Sequence, residues 1–213
     1  MTDPVSTADQ QQPASVTEPE ASRRLLAAAI EAFGERGYHA TTTREIAERA
    51  GMSPAGVYVH FQSKEDVLFR VMQLGHASAF AAVEEALAGD ALPEIKVRRF
   101  VEAFTSWHAR NHRAARVQQY ELRALSRERY DEIRHVRGRF ERLLREQLRD
   151  GIASGAFTIT TVDPAALAIL SLGIDVARWY RPGVDPAPDE LGRGYADLVL
   201  RMLGNLEGAT SLA

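Results

Sequence analysis

The chain runs to 213 residues, 45% of them hydrophobic and 26% charged, a balance suited to one large folded domain or to a small domain joined to a larger one. It has no cysteine, so disulfides, cysteine-based zinc sites and thiol catalysis are excluded, and a cytoplasmic location is expected. A net charge of −3 is the wrong sign for a protein that coats nucleic acid by bulk charge.

Residues 1–20 carry Asp3, Asp9, Glu18 and Glu20 without a Lys or Arg and are rich in Gln, Pro, Ser and Thr. That composition predicts a disordered tail, and the stretch has neither the basic start nor the apolar run of a secretory signal. No apolar segment of the chain approaches the ~20 residues that span a bilayer, so no membrane partner is expected. Over residues 22–36, Leu25, Leu26, Ala29, Ile30 and Phe33 recur at helical spacing, and Gly37 marks the helix end.

Three helix starts follow between Thr42 and Lys64. Thr42-Thr43-Arg44-Glu45 is a capping box, in which the Thr42 hydroxyl accepts from a free amide and Glu45 can reach back. The helix it opens runs to Ala50, and Gly51 supplies a left-handed turn position. Ser53-Pro54 opens the next helix, with Ser as cap and Pro where its missing N–H costs nothing. Ser63-Lys64-Glu65-Asp66 opens a third and longer one. Two short helices about a glycine turn cannot bury a core unless the first helix lies across them, and this layout is that of a helix-turn-helix.

At about 100° per residue, Val57 and Phe61 point into that small core, whereas Ala55 and Val59 point outward with Tyr58 and His60 on either side. An exposed face of small and apolar residues between hydrogen-bonding side chains suits a helix lying in the major groove of DNA. The helix starts at Thr42, Ser53 and Ser63 present backbone N–H groups to phosphates, and Lys64 adds a charge. Residues 21–70 hold seven Lys or Arg against six Asp or Glu. Affinity must therefore come from the placement of donors.

The stretch from Tyr38 to Leu68, with Thr42-Thr43-Arg44-Glu45-Ile46-Ala47, Ala50-Gly51-Met52-Ser53 and Val57-Tyr58-Val59-His60-Phe61-Gln62-Ser63-Lys64-Glu65, resembles the DNA-binding domain of TetR-family transcriptional regulators. The likeness extends back through Ala28, Phe33 and Gly37. It implies an all-α homodimer of about nine helices per subunit, with a three-helix DNA-binding domain over residues 21–66 and an effector pocket in a C-terminal bundle. Carried over by position, it implies that Thr42, Tyr58, His60 and Lys64 contact phosphates of an operator duplex. Arg44, Pro54, Ala55 and Gly56 approach base edges, and Thr43, Ser53 and Val59 complete the surface. The family's recognition helix varies at residues 54–56, so the operator sequence is not readable.

Residues 67–206 keep a helical period as the ligand-binding and dimerisation domain, and residues 207–213 read as a flexible terminus. Val67, Leu68, Val71, Met72 and Leu74 form a stripe on a helix that joins the two units. Gly89, Asp90 and Pro93 break it. Residues 95–111 carry Val97, Phe100, Val101, Phe104 and Trp107 on one side, and residues 113–125 are rich in Arg. A long charged helix spans 127–154, with Arg137, Arg142, Arg145 and Arg149 assigned to its solvated face. Asp163 is expected to cap a helix with Pro164 at its first position. Residues 165–177 are apolar on nearly every side, which requires cover from two directions. Together with the stripe Leu191, Tyr195, Leu198, Val199, Met202, Leu203 and Leu206, this predicts a four-helix dimer interface from residues 164–181 and 189–206 of each copy. The same helices could instead form a monomer's core.

Other constellations are weak. Glu132-Ile133-Arg134-His135 lacks the second Glu-x-x-His that a di-iron bundle needs, and His108 and His112 have no further metal ligand nearby. Neither a phosphate loop nor a nucleophile elbow occurs, so no enzyme activity, cofactor or metal is expected. For the effector, Trp107, Tyr120 and Phe140 are candidate walls, and Arg110, Arg123, Asp175 and Arg178 candidate anchors. Residues 175–183, Asp-Val-Ala-Arg-Trp-Tyr-Arg-Pro-Gly, are similar to a helix end in actinobacterial TetR-family regulators of lipid and sterol catabolism. That likeness implies an acyl-CoA as one candidate effector. The alternative from another class is a helical ligand-binding or enzyme-like bundle with a vestigial helix-turn-helix.

Overall fold

A computed structural model describes residues 18–183 and 185–205. The expected C-terminal flexible segment and most of the N-terminal tail, along with Leu206, lie outside the described residues. Among those described the fold is all-α, with nine helices and no strand. In chain order they are α1 Glu20–Arg36, α2 Thr43–Arg49, α3 Pro54–His60, α4 Lys64–Ala86, α5 Pro93–Arg110, α6 His112–Tyr120, α7 Arg127–Ala153, α8 Val162–Trp179 and α9 Pro188–Met202. A short 3-10 turn, Leu122–Ala124, lies between α6 and α7. None of these helices is long and apolar enough to cross a membrane.

The expected tail is shorter than 1–20 at its structured end. Helix α1 starts at Glu20, and the Glu18 carboxylate accepts from the Ser22 hydroxyl and pairs with Arg70 of α4. The caps form as their chemistry requires. Thr42 Oγ1 accepts from Glu45 N at 3.1 Å, Ser53 Oγ from Gly56 N at 3.2 Å and Ser63 Oγ from Asp66 N at 3.0 Å. Gly51 turns the chain at φ 67°, a conformation glycine adopts without penalty. The reciprocal half of the capping box is absent, because the Glu45 carboxylate pairs with Arg36 and Arg49, both at 3.1 Å.

Two large apolar cores hold the helices together, beside a small cluster of Ala109, Val176, Tyr180 and Leu191. In the first, Leu25, Ala29 and Phe33 of α1 meet Ile46, Ala47, Val57 and Phe61 of the helix-turn-helix and Val67 and Leu68 of α4. This core does not stop at the expected boundary after residue 66, because Val117, Leu122, Leu125 and Ile133 from the C-terminal part belong to it. The second core lies among α4, α5, α7, α8 and α9 around Phe100, Phe104, Phe140, Leu144 and Leu148. Helix α4 runs through both cores. Helix α7 is latched to the start of α4, where Ser126 N donates to Glu65 at 2.8 Å and Arg129 pairs with Asp66.

Two local expectations are corrected here. Helix α8 begins at Val162 behind Thr161, so Asp163 lies in its first turn and forms an ion pair with Arg145 of α7 at 3.0 Å instead of capping. Arg137 is not on the solvated face of α7. It follows Ile133 by four residues and precedes Phe140 by three, and helical geometry turns all three inward.

Candidate DNA-binding face and effector cavity

The recognition helix α3 is oriented as its sequence predicts. Val57 and Phe61 are buried, while Val59 is 78% and Tyr58 57% exposed, and Ser53, Pro54 and Ala55 are exposed beside them. Gly56 lies close over Met52, where an added Cβ would meet the methionine Cε at 3.2 Å. Thr42 and Arg44 are exposed at the start of α2, and the Thr43 hydroxyl sits 3.2 Å from the Tyr58 hydroxyl, tying the first turn of α2 to α3. Arg44 pairs with Glu48 at 3.1 Å with both side chains largely in solvent, a link weak enough to exchange for a phosphate or a base. His60, partly buried, sits at the far edge of the face near Glu18 and Arg70.

Lys64 is held more tightly than its sequence position suggests. Its ammonium donates to the Tyr38 carbonyl at 2.8 Å and the Thr41 carbonyl at 2.7 Å and sits 4.3 Å from the Tyr38 ring centre. Two of its three donors thus secure the loop just ahead of the Thr42 cap, and partial burial holds its pKa below the usual lysine range. Lys64 therefore positions the Thr42 cap.

In the C-terminal bundle a cavity of about 360 Å³ opens between α4, α5, α6, α7 and α8, within the ~300–1,000 Å³ range of small-molecule sites. Phe104, Trp107, Phe140, Leu170 and Ile174 give it an apolar wall, as expected for Trp107 and Phe140. Of its polar lining, which also includes Gln119, Arg134, Glu141 and Ser171, the residues His76, His108, Gln118 and Arg137 went unrecognised in the sequence. For Arg137 the missed signal is its register with Ile133 and Phe140. For the others no period reports which residues of three separate helices converge.

His76 and His108 are neutral. Nδ1 of His76 is 2.7 Å from the Met72 carbonyl and Nδ1 of His108 is 2.8 Å from the Phe104 carbonyl, so each ring carries its proton there and leaves Nε2 as an acceptor. Burial is the main cause that pushes both pKa values down to about 4. His112 likewise faces a backbone carbonyl, that of Ala109, and no cluster of metal-ligating side chains occurs among the described residues. Glu132 accepts from Gln73 at 2.9 Å, a surface contact.

The remaining expected effector residues divide. Tyr120, Asp175 and Arg178 are not in the inner cavity. They line an outer cleft between α6 and α8 with Arg116, and this cleft shares Gln119, Ser171 and Ile174 with the inner cavity. Tyr120 is 57% exposed, and Asp175 and Arg178 form a two-bond surface pair at 2.7 and 3.0 Å. Arg110 and Arg123 border neither cavity. Arg110 pairs with Asp189 on α9, and Arg123 is exposed on the 3-10 turn. The sequence places both close to Tyr120 along the chain, but Arg110 ends α5 ahead of α6 and Arg123 sits on the 3-10 turn beyond it.

A capped helix-turn-helix with an exposed recognition face, on a helical bundle with its own cavity, defines a two-part DNA-binding regulator. Residues 25–71 match the model of bacterial regulatory proteins of the tetR family, and residues 90–203 match the tetracyclin repressor-like C-terminal domain. The chain belongs to the TetR family of transcriptional regulators. It is similar to the HTH-type transcriptional repressor KstR2 of Rhodococcus jostii RHA1, with 32% identity covering 88% of this chain and 94% of the relative. Among solved structures it resembles a tetR-family regulatory protein from Rhodococcus RHA1, at 40% identity and a TM-score of 0.84, covering 89% and 100% of the two chains. The ketosteroid transcriptional regulator KstR2 of Mycobacterium tuberculosis is similar at 27% identity and a TM-score of 0.81, covering 88% and 96%.

Proposed function

We propose that this protein is a homodimeric repressor that leaves its operator when a small molecule fills the C-terminal cavity. The observation that carries the reading is the path of α4. Its first turns pack Val67 and Leu68 into the core beneath α3, and three turns later His76 and Ala79 border the cavity. A ligand that moves α4 against α5 or α7 therefore tilts the recognition helix. In a dimer joined through α8 and α9, such a tilt changes the separation of two recognition helices that must meet half-sites about 34 Å apart.

On the DNA side, Thr42, Tyr58, His60 and the third donor of Lys64 serve as phosphate contacts. Arg44, Pro54, Ala55 and Gly56 serve as the base-reading edge, with Thr43, Ser53 and Val59 packed around them. On the effector side, an acyl-CoA thioester fits the two joined spaces. Its acyl group occupies the apolar inner cavity, its thioester passes Gln119 and Ser171, and its phosphates reach Arg116 and Arg178 in the outer cleft, with Tyr120 available to stack on adenine. The relationship to a ketosteroid regulator supports a ligand of this bulk and apolarity.

A band-shift assay on the DNA upstream of the protein's own gene tests both halves. The wild type is expected to bind, the combined Tyr58→Phe and Lys64→Ala variant to lose most of that affinity, and medium-chain acyl-CoAs to release the wild type. Absence of binding to any duplex at low salt refutes the regulator reading. Binding that no acyl-CoA reverses refutes the thioester.

A further inference from the structure

Arg137 is a cation without an acidic partner among the described residues, at the wall of an apolar cavity. Its Nε donates to Nε2 of His76 at 3.1 Å and its Nη2 to the Gln118 carbonyl at 2.8 Å. Both acceptors are neutral, since His76 carries its proton on Nδ1 facing Met72. Glu141, one turn further along α7 and also on the cavity wall, is engaged with Arg145 at 2.8 Å instead. Burial holds the Arg137 pKa below the ordinary arginine range, yet a guanidinium does not give up its proton near neutrality. A charge taken from water and met only by neutral acceptors is costly, and an incoming anion removes that cost.

We infer that the inner cavity takes an apolar carboxylate, whose anion pairs with the Arg137 fork and draws it away from His76 and the Gln118 carbonyl. Two parallel charge-assisted N–H···O bonds are available to a carboxylate but not to its carboxamide, which has one acceptor oxygen and an NH2 donor. The cavity of about 360 Å³ accommodates about twelve heavy atoms at the ~30 Å³ each that a water-sized group occupies. The contacts that the ligand displaces join α7 to α4 and α6, above the point where Arg129 and Ser126 latch α7 to the head of α4. Occupancy is thus coupled to the recognition helix. The inference rests on the effector reading of this cavity, and the carboxylate can come from a free apolar acid or from an acyl-CoA whose acyl chain ends in a carboxylate of its own.

Calorimetric titration of the full-length protein with octanoate and with octanamide isolates the charge, because the two differ little in size. Octanoate is expected to bind the wild type roughly tenfold or more tightly than the amide, and Arg137→Gln to abolish that preference while Arg137→Lys keeps part of it. Operator release by suberyl-CoA against octanoyl-CoA repeats the comparison with the anion carried on a thioester. Preference for the anion in either pair supports the inference and identifies its source. No preference in either pair, no binding of octanoate with no advantage for suberyl-CoA, or an undiminished preference in a folded Arg137→Gln protein overturns it. The wild-type comparison stands even if that variant does not fold. Release by octanoyl-CoA without anion preference leaves the thioester reading intact and removes this one, whereas release by octanoate but by no thioester does the reverse.

Discussion

His76 and His108 sit neutral in the wall of the inner cavity, with pKa values near 4 against about 6.5 in an unfolded chain. The unfolded state therefore binds more protons than the folded one across that interval. Their contribution is fully present above about pH 6.5, declines as the pH falls, and is exhausted below about 4. Carboxylates with depressed values, such as Glu65 and Asp66, begin to lose their own contribution only below about 4.5. Urea unfolding at pH 7.5 and at pH 5 is expected to show lower stability at pH 5, by at most about 2 kcal/mol for each histidine. His108→Gln should shrink the difference. Equal midpoints at the two pH values contradict the neutral assignment. Lys64 makes the opposite point, because its charge stays and its donors are what matter. The Ser63 cap was readable from sequence, but the use of two Lys64 donors on Tyr38 and Thr41 was not, since those carbonyls lie more than 20 residues upstream.

At the level of helices, close approach is set by small residues, and their sites can be told apart. A Cβ at Gly173 of α8 would lie 2.6 Å from the Phe104 ring, which is itself packed against Phe100, His108 and Phe140. A Cβ at Gly192 of α9 would lie 2.8 Å from the Glu102 backbone carbonyl of α5. Neither neighbour can yield cheaply, so Gly173→Ala and Gly192→Ala are each expected to cost about 1–3 kcal/mol. Gly34, exposed on α1 with nothing within 4 Å, predicts the reverse, a gain of about 0.5–1 kcal/mol on Gly34→Ala. Thermal unfolding of the three variants checks both signs. The same contrast explains what was legible. Helix starts at Thr42, Ser53 and Ser63 follow from local chemistry, and so did the inward turn of Val57 and Phe61. Arg137 was assigned to solvent by its charge although its register put it inside. Arg110 and Arg123 were assigned to the ligand by nearness in sequence, which says nothing about how α6 and the 3-10 turn are oriented against α5.

For the whole molecule, the bundle leaves one set of apolar side chains without cover. Leu167 and Leu172 on α8 and Leu198 and Met202 on α9 are 44 to 63% exposed in the single chain. Leu198 and Met202 stand one turn apart on the same face of α9, turned away from Gly192, which packs on α5. Apolar side chains gathered on the last two helices suit the isologous contact of a two-fold dimer, in which the same patch meets itself. The proposed contact uses α8 and α9, whereas Tyr58 and Val59 stand on α3, so disrupting it leaves the α3 surface chemically intact. In a dimer joined there, Leu198→Glu sets like charges against each other and is expected to halve the mass measured by light scattering, with the helical circular dichroism retained. Operator affinity should fall by orders of magnitude, because each monomer keeps contacts to only one half-site. Leu92→Glu, at an exposed apolar residue preceding α5, should leave mass and affinity unchanged. A Leu198→Glu protein that stays dimeric and binds normally would place the two-fold contact elsewhere and leave the exposed leucines of α8 and α9 to another partner.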